Sequence, residues 1–221
     1  MTRPLDDPPR ILVLASGPFG AGVADRLRQR HDLTIIDITD HGTHPSHWPY
    51  ADLVILATSR EHPQITEAID RAAFEQGFRW FPILGNATEL RCGPVVIPDR
   101  TACHACYLKR REQHGSHEGK SEARPGAREH PTGHPAHHLG IGAGLAEQAI
   151  TEAFEGPRSD SLGGTVRVFT QVEGSTGRFG VLAVNLCGRC RHTPPDRNLW
   201  SHFQHIAGQT SGPRKGEEIG A

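Results

Sequence analysis

At 221 residues and a formal net charge of −1, the chain is long enough for one domain with a sizeable core. That charge gives no general pull toward nucleic acid or anionic membrane. No stretch approaches the ~20 apolar residues of a membrane span, and the opening MTRPLDDPPR is polar and proline-broken rather than a secretory signal. The expected compartment is the cytoplasm, where thiols stay reduced and paired cysteines read as metal ligands or redox groups.

Residues 1–9 read as a tail. The stretch RILVLASGPFGAGVADRLRQRHDLTIID reads as strand, glycine turn, helix, strand. Ile11 to Leu14 is the continuous apolar run of a strand buried on both faces. Gly17, Gly20 and Gly22 open a helix carrying Val23, Ala24 and Leu27 at helical spacing, and the next strand ends in Asp37. ADLVILAT is a third strand. HPQITEAIDRAAFEQG is a second helix with Ile65, Ala68, Ile69 and Ala72 on one face and Gly77 as its stop. RWFPIL and GPVVIP are further short strands. Strands alternating with helices predict an α/β fold on a parallel, Rossmann-like sheet.

Residues 113–136 change character: polar, rich in His, Gly and Pro, without apolar periodicity, and expected as a loop. His114, His117, His130, His134, His137 and His138 lie in or beside it with no rigid frame, and read as solvated. LGIGAGLAEQAITEAFEG restores a helix whose Gly142, Ala143 and Ala146 suit close packing on a sheet. GTVRVFTQVEGSTGRFGVLAVNL is a β-hairpin leading into CGRC. Residues 193–221 form a polar tail with one apolar knot at Leu199, Trp200 and Phe203; that knot either docks in a partner or packs back on its own domain.

TACHAC places Cys103 and Cys106 three apart, and CGRC repeats the spacing at Cys187 and Cys190, ~80 residues later. Two such knuckles supply four thiolates, which suits tetrahedral Zn(II). A redox reading needs only one pair, beside the first turn of a thioredoxin-like fold, and the context is different here. Four thiolates leave no open position for a substrate water, so the expected zinc is structural. Cys92 has no partner and reads as a small apolar side chain.

The turn GPFGAG after a buried strand resembles a phosphate cradle, with Asp37 placed as the acid for a ribose. Its spacing is GxxGxG rather than GxGxxG, and Pro18 removes an amide donor. The cofactor-binding set Gly17, Gly20, Gly22 and Asp37 therefore reads either as a nucleotide site or as a vestigial corner closing strand on helix.

The order of these pieces is specific: a Rossmann-like half, the lead-in Gly93, Pro94 and Pro98 before Cys103 and Cys106, a charged helix, a variable loop, a small-residue helix, a hairpin, and Cys187 with Cys190. It resembles the ThiF/MoeB-like adenylating superfamily, and more closely the ocin-ThiF-like proteins that partner YcaO cyclodehydratases in making thiazole- and oxazole-modified peptides. The resemblance spans residues 10–192. It implies a ThiF-type fold with a split four-cysteine zinc knuckle.

The departures are as informative. ThiF/MoeB-like enzymes carry Asp-x-Asp with Asn and Arg after the second strand; here the stretch is IIDITDHGTHPSHW, and only Asp37 matches. Their D-C-x-D-N after the next strand is replaced by LATSREHP, with Ser59 and Arg60 in its place. The resemblance thus implies no catalytic residue of its own and no ATP chemistry. It implies an accessory protein that binds a precursor's leader peptide or activates a YcaO cyclase, which itself uses the ATP. Many such partners begin with a winged-helix peptide-recognition domain; this chain starts almost at the first strand. A separate recognition protein, another peptide surface on this chain, or a scaffold role all stay open, and self-association is compatible with each. The alternative is an ATP-dependent adenylating enzyme acting on a peptide or carrier carboxylate. An NAD(P)-dependent oxidoreductase is disfavoured by the glycine spacing, and a zinc-ribbon nucleic-acid binder by the charge.

For peptide binding, the candidate edges are the hairpin at 165–186 and the strand at 94–97. The basic run Lys109, Arg110 and Arg111 reads as a solvated helix face or as a patch for an acidic partner.

Overall fold

The computed structural model describes residues 8–38, 43–114, 134–156 and 163–190. Of the stretch expected as a loop at 113–136, residues 115–133 lie outside the described residues, while Gln113 ends α3 and Ala136 begins α4; the knot at Leu199 to Phe203 and the expected tails, apart from residues 8 and 9, also lie outside them. In chain order the elements are β1 (Ile11–Ala15), α1 (Gly17–Arg28), β2 (Leu33–Asp37), a short 3-10 turn (Pro45–His47), β3 (Leu53–Thr58), α2 (Pro63–Gln76), β4 (Arg79–Gly85), β5 (Glu89–Cys92), α3 (His104–Gln113), α4 (Ala136–Glu155), β6 (Thr165–Thr170) and β7 (Ser175–Gly180).

The strands form one sheet in the order β2-β1-β3-β4-β5-β6-β7. The first four run parallel and the last three antiparallel. β1 and β3 are buried along their whole length, which is why they read as unbroken apolar runs, whereas the edge strand β2 is only half-buried. On one face α1 and α4 cover Val13, Ile55, Phe81 and Ile83. On the other, α2 covers Leu12, Leu14, Leu56 and Trp80. α2 stops where Gly77 adopts a left-handed conformation and returns its N–H to Ala73.

Two expectations need correction. GPVVIP is not a strand. The fifth strand is ELRC, just before it, and GPVVIP is a buried connection whose Val96 makes a single bridge to Trp80. Pro94 and Pro98 lack the N–H groups a ladder needs, so the stretch satisfies itself piecemeal, Val95 N–H to the Thr165 carbonyl and Ile97 N–H to Thr101 Oγ1. Being fully buried, residues 94–97 offer no edge to a peptide. The hairpin is also shorter than its apolar pattern: β7 ends at Gly180, and 181–186 is irregular backbone leading to the second knuckle.

The small-residue helix starts earlier than expected, at Ala136, and packs on α1 as well as on the sheet, Gly142 facing Phe19, Val23 and Ile83. A buried pair, Arg167 to Glu152 at 2.6 Å, ties it to β6. Cys92 is fully buried, and burial pushes its thiol up to about 12, so it behaves as core.

Candidate metal centre

Cys103 and Cys106 sit at the N-terminus of α3, Cys103 as its N-cap residue. Cys187 and Cys190 lie on the turn after the hairpin. Folding brings all four sulfurs within 4.8 Å of one another. Cys103 Sγ is 3.7 Å from Cys187 Sγ, and Cys106 Sγ is 3.6 Å from Cys190 Sγ. A disulfide would hold its sulfurs at about 2.05 Å. Four thiolates around one ion at a metal–sulfur distance of about 2.3 Å would lie about 3.8 Å apart along the edges of a tetrahedron. The group could hold a metal ion, and its donors and spacing fit one.

The electrostatics also fit a cation. A hydrogen bond with Cys103 draws the Cys190 thiol down to about 5. The same bond, then burial, pushes Cys103 well up, and burial raises Cys106 to about 11. The shared hydrogen bonds thus favour charge on Cys190 and oppose it on Cys103. A divalent cation among the sulfurs would favour the thiolate form. The Val184 N–H donates to Cys106 Sγ at 3.2 Å, fixing the approach of the second knuckle to the first.

The shell around the sulfurs is anchored on a residue that spacing alone did not reveal. Asp70 on α2 is completely buried. It accepts from Trp80 Nε1 at 3.0 Å and from the backbone N–H of His104 at 3.1 Å and Ala105 at 3.4 Å. It thereby caps α3, whose own N-cap residue makes no side-chain cap bond. Arg189, between the cysteines of the second knuckle, donates to Asp70 at 2.6 Å and to Glu67 at 2.5 Å. The buried Asp70 thus touches both knuckles' segments. The only sequence signals were an acid beside Ile69 on an otherwise apolar helix face and an arginine inside CGRC.

Of the basic run, Lys109 is exposed, whereas Arg110 and Arg111 are half-buried and engaged within the chain. Arg111 donates twice to Glu61, whose Oε1 also accepts from Arg91 at 2.6 Å. Arg110 donates to the carbonyls of Leu182 and Ala183 and to Gln113. Burial pushes the Glu61 carboxyl up, but the bonds from Arg111 and Arg91 outweigh it and hold the group at about 2. A depressed carboxylate contributes stability above its unfolded value, 4.5, and loses it as pH falls to about 2. Glu61→Gln should therefore lower the urea midpoint above pH 5 and converge with the parent protein as pH falls through that window. A constant gap down to pH 2 would show that the loss is not the charge.

The glycine turn is explained largely by packing. A Cβ on Gly20 would lie 2.3 Å from the Ala57 carbonyl oxygen, and one on Gly22 would meet Leu139 at 2.8 Å. Gly17 has open space around it but a φ of +66°. Asp37 pairs in register with Ala15, beside this turn, and is exposed. The candidate nucleotide residues are thus gathered at the carboxyl end of β1 and β2, where Gly20 would be required with or without a nucleotide. Gly20→Ala should cost about 1–3 kcal/mol of stability, since backbone blocks the methyl, and Gly17→Ala about 1–2 kcal/mol through its left-handed φ. Thermal melts of the two would rank them.

No family model matches the chain, and no curated protein matches it by sequence. Solved structures do match. The heterocyclase TruD superposes with a TM-score of 0.54 at 18% identity, covering 83% of this chain and 27% of that one. E. coli MccB gives 0.55 at 11% identity over 86% and 67%. The E. coli microcin synthetase McbBCD complex gives 0.56 at 13% identity over 84% and 71%. The chain has a ThiF-like fold. It spans only about a quarter of the length of the TruD chain, so what it shares with that protein is this unit. Among the described residues no helix is long and apolar enough to cross a membrane.

Proposed function

We propose that the chain is a non-adenylating accessory component of a YcaO-dependent, azoline-forming peptide-modifying machinery, stapled by a structural zinc ion at Cys103, Cys106, Cys187 and Cys190. Its partners would be a YcaO cyclodehydratase and a precursor's leader peptide. One observation carries the reading: a ThiF-like fold closes a four-sulfur cluster while the carboxyl end of its third strand holds Thr58, Ser59 and Arg60 where an adenylating enzyme needs acids. The Thr58 hydroxyl is engaged with the backbone of Arg60, so this turn is built for its own geometry and brings no metal-binding carboxylate from those three positions. The neighbours support the setting: a heterocyclase solved in complex with substrate and cofactor, and MccB solved with MccA.

In this reading, ring closure and ATP use belong to the YcaO partner, and this chain positions peptide and enzyme. The test is an intact-mass assay of a candidate precursor with ATP and the partner, with and without this chain. Water loss is expected only when the chain is present. Equal water loss without it overturns the reading. Asp37 beside the glycine turn favours adenylation as the second reading, and ATP–pyrophosphate exchange by the chain alone would establish it.

A further inference from the structure

Between α3 and the β6–β7 hairpin lies a groove of about 530 Å³. Its sheet wall is apolar, with Val166, Val168 and Phe179; its helix wall carries Tyr107, Arg110 and Arg111. Phe179 and Leu182 at the rim are 59% and 53% exposed, two large apolar side chains at the mouth of the groove.

The charges in the groove are not balanced. Arg91 and Arg111 share Glu61, and Arg91 also holds Glu89 at 3.1 Å, so two guanidinium groups meet two carboxylates. Arg110 is different: it donates to neutral oxygens, two backbone carbonyls and an amide. Among the described residues it has no carboxylate partner, and it leaves the groove positive beside an apolar wall. β7 is the outermost strand and pairs only with β6 among the described residues, and its Phe179 and Gly180 line the groove. A free edge takes an extended chain through main-chain hydrogen bonds, while the flanking pocket selects side chains. The volume suits a few residues of such a chain rather than a globular face, which needs about 800 Å² per partner.

The geometry points to this groove as the seat of an acidic, extended segment of the substrate peptide, with an apolar side chain against Val168 and Phe179 and a carboxylate on Arg110. This rests on the peptide-modifying reading above and gives it a surface.

The probe is the fluorescein-labelled peptide Leu-Glu-Val-Asp-Leu-Glu, with a counterpart carrying lysine at each acid, titrated against the full chain by anisotropy. The acidic peptide should bind, and the lysine counterpart at least tenfold more weakly. Phe179→Glu should weaken binding of the acidic peptide at least tenfold. Phe179 is exposed, so this variant should keep its fold, checked by an unchanged melt and zinc content. Arg110→Gln should have a similar effect, although Arg110 also braces the backbone at 182 and 183. Binding that Phe179→Glu leaves unchanged, or equal binding of the lysine peptide, overturns the proposal. In the mass assay, chain-dependent water loss that Phe179→Glu leaves at the parent level overturns the groove and spares the accessory reading. Water loss independent of the chain overturns the accessory reading, and with it the assignment of the groove's peptide as substrate. A Phe179→Glu chain that still binds precursor but no longer binds the YcaO partner assigns the groove to that partner and overturns the proposal.

Discussion

The purified chain should carry one zinc ion, and Cys187→Ser should abolish it while lowering the melting temperature by roughly 10 °C or more. The magnitude follows from what the ion joins. The first knuckle sits at the N-terminus of α3, which Asp70 of α2 caps; the second ends the segment after the hairpin. Without an ion, four sulfurs within 4.8 Å face one another, and residues 181–190 keep only the Arg189 pairs with Asp70 and Glu67, the Arg110 bonds to the 182 and 183 carbonyls, the Val184 bond to Cys106 and local packing among the described residues. Structural zinc contributes about 10–16 kcal/mol in small sites. Even a third of that, about 3–5 kcal/mol, shifts the midpoint of a domain of this size by roughly 7–21 °C. Elemental analysis and a thermal melt of parent and variant decide the matter. A variant without zinc but with an unchanged melt would mean that the cluster does not hold the fold together. Chelation of the parent protein should reproduce the variant's melt, which separates loss of metal from any local effect of serine.

The legible parts of this molecule were those written in spacing. Two CxxC pairs announced one site because the geometry of a knuckle is local: each turn aims two sulfurs from residues three apart, and only their meeting is long-range. The parallel half was legible for a similar reason, since β1 and β3 are buried on both faces and show it as unbroken apolar runs. The antiparallel half was harder. ELRC became a strand and VVIP did not, although VVIP is the more apolar, because pairing is settled by available N–H groups and neighbouring strands rather than by hydrophobicity. The basic run Lys109 to Arg111 suggested solvent or a partner, yet Arg111 is paired with Glu61, fifty positions away. No local pattern encodes that pairing. The glycine turn read two ways because the same small residue serves close packing and phosphate approach; the short distance from Gly20 to Ala57 shows the first demand is present.

Asp70 is the extreme case of a long-range role hidden in a helix, and Asp70→Ala should destabilise the protein by about 3–5 kcal/mol and loosen its hold on zinc. The carboxylate is the common acceptor for Trp80 Nε1, the first N–H groups of α3 and Arg189. Alanine leaves the fully buried Trp80 indole N–H with no acceptor, a cost of about 1–3 kcal/mol by itself. It also uncaps the helix that presents Cys103 and Cys106, about 1 kcal/mol more. Breaking a buried ion pair can cost about 3–5 kcal/mol, but Arg189 is 21% exposed and keeps Glu67, so its share is smaller. Asp70→Asn is the sharper test. It preserves an acceptor for the Trp80 indole while turning an amide donor or a neutral oxygen toward Arg189, so it should cost about half as much. If Asp70 acts on the metal through position, both variants should release zinc to a competing chelator faster than the parent, alanine more so, in the same order as their urea midpoints fall. A variant that is destabilised but exchanges zinc at the parent rate would confine Asp70 to the core and sever it from the knuckles.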